Sequence, residues 1–141
     1  MRTTFITILS FFLLLMACSS GEKLMNDKDI HIIQAEYIHW RDAPATQSGV
    51  PERGTDLELV AESWPEGAEP THVVYRKMRS FPAEITDTTE TGVVIFARII
   101  RSSAVLEQTS DRVELTDRLV FTTADGKTKY IEIEDWSRME N

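Results

Sequence analysis

Apolar positions along residues 30–136 recur with a period of two over short runs, the spacing of β-strands rather than helices. In residues 57–63, Leu57, Leu59 and Ala61 share one face while Glu58 and Glu62 take the other, which predicts a half-buried strand. Residues 92–101 (GVVIFARIIR) place Val93, Ile95, Ala97 and Ile99 on one face and Val94, Phe96 and Ile100 on the opposite one. Apolar side chains on both faces predict a central strand. Residues 30–40, 73–78 and 81–86 are further runs rich in β-branched and aromatic residues, bounded by Gly, Pro, Asp and Ser. Residues 102–117 fit either one helical face or a loop followed by a short strand at Val113 and Leu115, and the loop and strand are expected. Six or seven strands with hairpin-length connections predict an all-β domain, a small antiparallel β-sandwich or a partly open barrel.

The last two runs, RLVFTTA and KTKYIEIEDW, flank Asp125-Gly126. Asp-Gly supports the positive φ angles of a two-residue type I′ turn, which sets Ala124 opposite Lys127, Phe121 opposite Tyr130 and Val120 opposite Ile131. Ahead of the strands, residues 19–29 are polar apart from Leu24 and Met25, so a flexible tether is expected there. Arg2 precedes an unbroken apolar run over residues 5–16. As a helix that run spans about 18 Å, against roughly 30 Å of hydrocarbon. It therefore has the layout of a cleaved secretory leader, not a membrane span. The expected organisation is a leader over residues 1–17, the tether over 18–29 and one β-domain over 30–141.

The chain of 141 residues carries a net charge of −8, and loss of the leader with Arg2 makes it one unit more negative. Such a surface repels nucleic acid and anionic headgroups and favours solubility. It also leaves open an acidic inhibitor of a basic partner. The chain has one cysteine, Cys18, so no intramolecular disulfide forms, although the leader implies an oxidising compartment.

Metal and catalytic patterns are weak. His31 and His39 lie about 26 Å apart on one strand at ~3.3 Å per residue, and His72 has no Cys or spaced carboxylate motif near it. No zinc, EF-hand or P-loop pattern occurs, and no G-x-S-x-G, so neither a cofactor nor a metal is expected. Gln47-Ser48-Gly49 fits a flexible turn. Glu132, Glu134 and Asp135 beside Lys127 and Lys129 fit solvated ion pairs on an edge hairpin. Arg76, Lys77 and Arg79 fit a solvated strand face, and Trp64 and Trp136 fit plugs at the ends of the sandwich.

The segment RDAPATQSGVPERG has a different character: about 14 residues, where connections in small domains usually run about four to six. It follows the aromatic end of the first strand, Tyr37, His39 and Trp40. Trp40, Arg41, Asp42 and Arg53 are the candidate binding residues, because rigid aromatics and arginines beside adaptable loops suit recognition.

Leu15-Met16-Ala17-Cys18 resembles the lipobox of bacterial lipoproteins. That resemblance implies that Cys18 receives a diacylglycerol thioether and that the new amino terminus is acylated with fatty acid such as palmitate, which anchors the chain to a membrane. By resemblance to lipoprotein sorting in gram-negative cells, Ser19 rather than Asp after the cysteine implies delivery to the outer membrane. With Glu22 as the one acidic residue among 19–23, the periplasmic face is expected. The A-E-Y-x-x-W run (Ala35, Glu36, Tyr37, Trp40), Ser48-Gly49 before D-L-E-L, and D-G-K-T-K-Y from Asp125 to Tyr130 resemble a group of small envelope lipoproteins, a likeness that carries over no catalytic residue. The expected function is a membrane-anchored binding or scaffold module for an envelope protein or glycan. The alternative is a small periplasmic hydrolase or an acidic enzyme inhibitor on the same scaffold.

Overall fold

The computed structural model describes residues 24–42, 51–80, 82–106 and 116–140. Cys18, the leader, most of the segment after Asp42 and the strand expected at Val113 and Leu115 lie outside the described residues. Within them run eleven strands: β1 Met25–Asn26, β2 His31–Arg41, β3 Arg53–Glu62, β4 Glu69–Tyr75, β5 Met78–Arg79, β6 Ala83–Thr89, β7 Gly92–Ile100, β8 Val105–Leu106, β9 Arg118–Thr122, β10 Thr128–Glu132 and β11 Ser137–Arg138. A 3-10 turn, Arg101–Ser103, follows β7. Seven of the strands are five residues or longer.

They form a six-stranded sheet in the order β1-β10-β9-β4-β5-β8 and a five-stranded sheet in the order β11-β2-β3-β7-β6. The fold is an all-β sandwich and not a closed barrel. Alternation builds the core: Leu57, Leu59 and Ala61 of β3 with Ile95, Ala97 and Ile99 of β7 meet Val73 and Tyr75 of β4, Leu119 and Phe121 of β9 and Ile131 of β10. Strand β7 pairs with β3 on one side and β6 on the other, the central place its two apolar faces predict.

Four expectations are corrected. The hairpin after β9 has a three-residue loop, not a two-residue one: Thr123 N–H donates to Lys127 O at 2.9 Å and Gly126 N–H to Thr123 O at 2.8 Å, with Gly126 at φ 84°. Phe121 therefore faces Lys129, and Tyr130 faces Val120. A two-residue loop would set core Leu119 opposite exposed Glu132; the observed register sets it opposite buried Ile131, so core burial overrides the Asp-Gly preference.

The second correction concerns the tether, whose last residues belong to the sheet. Met25 and Asn26 pair in parallel with Lys129 and Tyr130. Asp27, 9 % exposed, accepts from Lys129 Nζ at 2.9 Å. A polar stretch can still add to a sheet edge, because pairing uses backbone groups and the one buried carboxylate finds a cation. Third, the sheets are mixed rather than purely antiparallel, since β1 on β10 and β11 on β2 are parallel.

Fourth, the run over residues 73–78 is two strands. Tyr75 faces Met78, and the two residues between them, Arg76 and Lys77, both have positive φ, 48° and 65°. That is the signature of a two-residue hairpin turn, made here by side chains that ordinarily avoid it.

Candidate functional site

The strand pairings bring one set of residues to one end of the sandwich. Arg41 is the cross-strand partner of Arg53, and Trp40 of Gly54. Gly54 in turn faces Ile100, so Arg101 follows at the same end. Tyr75 closes β4 with its ring centroid 6.0 Å from that of Tyr37. Arg138 faces Tyr37 across the β11–β2 pairing. Arg41, Arg53, Arg76, Arg101 and Arg138 thus gather at one end, contributed by both sheets, while the hairpin turn at Asp125-Gly126 lies at the other.

Between the arginines sits an aromatic cluster. The Tyr37 and His39 rings are 5.1 Å apart, and Trp136 meets Tyr75 edge-on at 5.1 Å. The Arg76 guanidinium lies 5.1 Å from the Tyr75 ring centroid and 5.9 Å from that of Tyr37, within cation–π range. Asp117 helps to hold this arrangement: one oxygen accepts from Arg76 N–H at 2.8 Å and the other from Trp136 Nε1–H at 2.8 Å. Ser80 clamps the base of the strained turn, accepting from Val73 N–H at 2.9 Å and donating its hydroxyl to Val73 O at 3.1 Å. Two non-glycine residues at positive φ cost on the order of 1–3 kcal/mol each, and persist where surrounding contacts over-determine them.

None of the five guanidinium groups forms an ion pair among the described residues. Arg41 opposite Arg53 is a like-charge pair, unfavourable on a sheet. Partial burial and then the charges of Arg76, Arg101 and Arg138 hold the His39 imidazole below its ordinary pKa. His39 Nδ1 and Thr55 Oγ1 share a hydrogen bond of 2.8 Å. The pair is a base and a hydroxyl in type, but Thr55 is 3 % exposed, which withholds its oxygen from a substrate. The Tyr75 hydroxyl is buried with no hydrogen-bond partner among the described residues, and burial raises its pKa.

Of the four candidates named from the sequence, Arg41 and Arg53 belong to this cluster. Asp42 is exposed, and its N–H donates to Glu52 O at 2.9 Å, closing the neck of the following segment. Trp40 points to the other face of the five-stranded sheet. Its ring lies so close over Gly54 that a Cβ there would overlap it, and Nε1–H donates to Asp56 Oδ1 at 2.9 Å. Arg98 grips the same carboxylate through two bonds, 2.7 and 2.8 Å, with its guanidinium 5.1 Å from the Trp40 centroid. Trp40 is thus a braced part of the sheet surface.

Sequence reasoning missed Arg101, Arg138 and Tyr75 as site residues, and placed Arg76 on a strand face. No local signal marks them, because only pairings between distant segments bring them together. Among the described residues no three His, Cys, Asp or Glu side chains converge as metal ligands would. No helix there is long and apolar enough to cross a membrane. Comparison with protein families, with curated proteins and with solved structures found no match.

Proposed function

We propose that this chain is an envelope lipoprotein, anchored to the outer membrane through Cys18 and facing the periplasm, whose β-domain is a binding module. The arginine end is its binding surface, and an anionic group on an envelope partner is what it recognises. The lipobox-like residues 15–18 support the anchor. One observation carries the binding reading: a chain of net charge −8 gathers five arginines at one end without an ion pair among the described residues. Like charges held together disfavour the free fold and reward an anion that fits between them.

Two measurements test this. An alkyne fatty acid supplied to cells should label the wild type and leave Cys18→Ser unlabelled; equal labelling removes the anchor from the proposal. Capture of envelope material by the wild type should fall when Arg53 and Arg101 are both changed to Gln, with melting temperature unchanged. Equal capture by both removes the arginine end as the binding surface.

A further inference from the structure

The side of the sandwich between β2 and β10 leaves a strand edge open. Among the eleven residues of β2, only Glu36 and Tyr37 pair with a strand on the edge away from β3, namely β11. Along residues 31–35 that edge carries no strand among the described residues. Ala35 O accepts there from the Ser137 hydroxyl at 3.3 Å, a side chain where a partner strand would offer a backbone N–H. Beside the open edge lies a groove of about 440 Å³, walled by residues 30–35 on one side and residues 131–135 on the other. Five residues present about 17 Å of edge at ~3.3 Å per residue, the length of an ordinary strand.

The walls of the groove combine an apolar floor with an acidic rim. Burial alternates past the end of β10: Ile131 and Ile133 are buried, Glu132 and Glu134 exposed. Ile30 and Ala35 extend the buried floor from the β2 side. Opposite the rim Ile33, which a bulge leaves without a partner on β3, is 51 % exposed along the groove. The lysines that lie near the rim carboxylates in sequence are engaged elsewhere, Lys127 with Asp125 at 3.0 Å and Lys129 with Asp27 at 2.9 Å. Glu132 faces Arg118 across the β10–β9 pairing, whereas Glu134 and Asp135 form no ion pair among the described residues. No lysine or arginine among the described residues lines the groove.

We infer that this groove is a second docking surface, separate from the arginine end, and that its occupant is an extended basic segment of a partner protein that adds as a strand to residues 31–35 of β2. Unused backbone groups of the edge supply main-chain hydrogen bonds, and successive side chains of an added strand turn alternately to opposite sides. Apolar residues of the segment then meet Ile30, Ile131 and Ile133, while lysines or arginines at the alternate positions lie beside Glu134 and Asp135. The fold already closes edges in this manner, since β1 on β10 and β11 on β2 are two-residue additions in parallel. A chain of net charge −8 also draws a cationic segment toward it.

The test is a calorimetric titration of the full-length chain in neutral detergent at low salt with four peptides: a heptapeptide of alternating Lys and Val, the same peptide with its amides N-methylated, a rearranged peptide with its lysines and valines in separate blocks, and a heptapeptide of alternating Glu and Val. The alternating basic peptide is expected to bind at least about tenfold more tightly than each of the others. Glu134→Gln together with Asp135→Asn should weaken it by about tenfold, roughly threefold per exposed ion pair, with the melting temperature unchanged. Changing Arg53 and Arg101 to Gln should leave it as tight as in the wild type. An N-methylated or block peptide that binds equally well would mean attraction of charge without strand pairing, and overturns the inference. Binding that the Glu134 and Asp135 changes do not weaken, or that the arginine changes abolish, places the peptide elsewhere and overturns it too, as does the absence of binding by every peptide. None of these outcomes bears on the arginine end, which capture of envelope material tests separately.

Discussion

The two ends of the sandwich are built on opposite terms. At the hairpin end Trp64 packs on Phe121 with ring centroids 5.1 Å apart and donates its Nε1–H to Ala68 O at 3.1 Å. Thr123 donates its hydroxyl to the Asp125 carboxylate, which also pairs with Lys127 at 3.0 Å and is held well below the ordinary range, at about 2. Lys129 meets Asp27. Rings there are covered and charges are matched. At the arginine end a turn is made by residues that strain it, and among the described residues five cations lack carboxylate partners and a buried tyrosine hydroxyl lacks a hydrogen-bond partner. The difference teaches where folding free energy is generated and where some is forgone. Strain and like charge at one place are what the proposed binding surface would draw on.

Breaking the well-packed end should have the largest effect. Phe121 is fully buried, so Phe121→Ala is expected to destabilise the domain by about 3–5 kcal/mol in denaturant unfolding. A loss under about 1 kcal/mol would mean that this end is not the stabilising one. Next in size is Asp27→Ala, which removes the carboxylate that accepts from Lys129; a loss of about 1.5–3 kcal/mol follows from a partly buried charged hydrogen bond. An unchanged midpoint would show that residues 24–29 behave as a free tether after all.

The strained turn offers a change of the opposite sign. Replacing Arg76 by Asn together with Lys77 by Gly supplies residues that accept positive φ, and should stabilise the domain by about 1 kcal/mol while weakening anion binding. Stabilisation with binding intact would separate the turn from the site. Smaller still is Arg53→Ser, expected to leave stability within about 0.5 kcal/mol of wild type, or to raise it slightly by removing the repulsion from Arg41.

The smallest effect is in the pH profile. His39 is held below its ordinary pKa, first by partial burial and then by Arg76, Arg101 and Arg138, so the unfolded chain takes up a proton that the folded chain resists. Its contribution is fully present above the ordinary histidine value of about 6.5 and is lost as pH falls below it toward the folded value. Wild type should show a melting temperature that declines more steeply below that pH than His39→Gln does, and the arginine variants should lie between. A bound anion offsets the field of the arginines and favours the protonated ring, so affinity should rise as pH falls. Parallel profiles for wild type and His39→Gln would remove His39 from the field of the arginines.

Period-two alternation determined much of this protein from residues alone: the all-β sandwich, the faces of β3 and β7, and the central place of β7. Strand faces are local, since each pleat turns successive side chains to opposite sides whatever the partner strand. Arg41 and Arg53 were named for a different reason, as arginines at either end of one long connection. Tertiary structure alone decided the rest. Core burial of Leu119 against Ile131 set a hairpin register that Asp-Gly did not specify. Clamping by Ser80 and Asp117 forced positive φ on Arg76 and Lys77, where no turn-forming residue advertises it. Pairings between segments far apart in the chain brought Arg101, Arg138 and Tyr75 beside Arg41 and Arg53. Registers and sheet orders are settled by the summed burial and hydrogen bonding of many residues at once, which no short stretch of sequence contains.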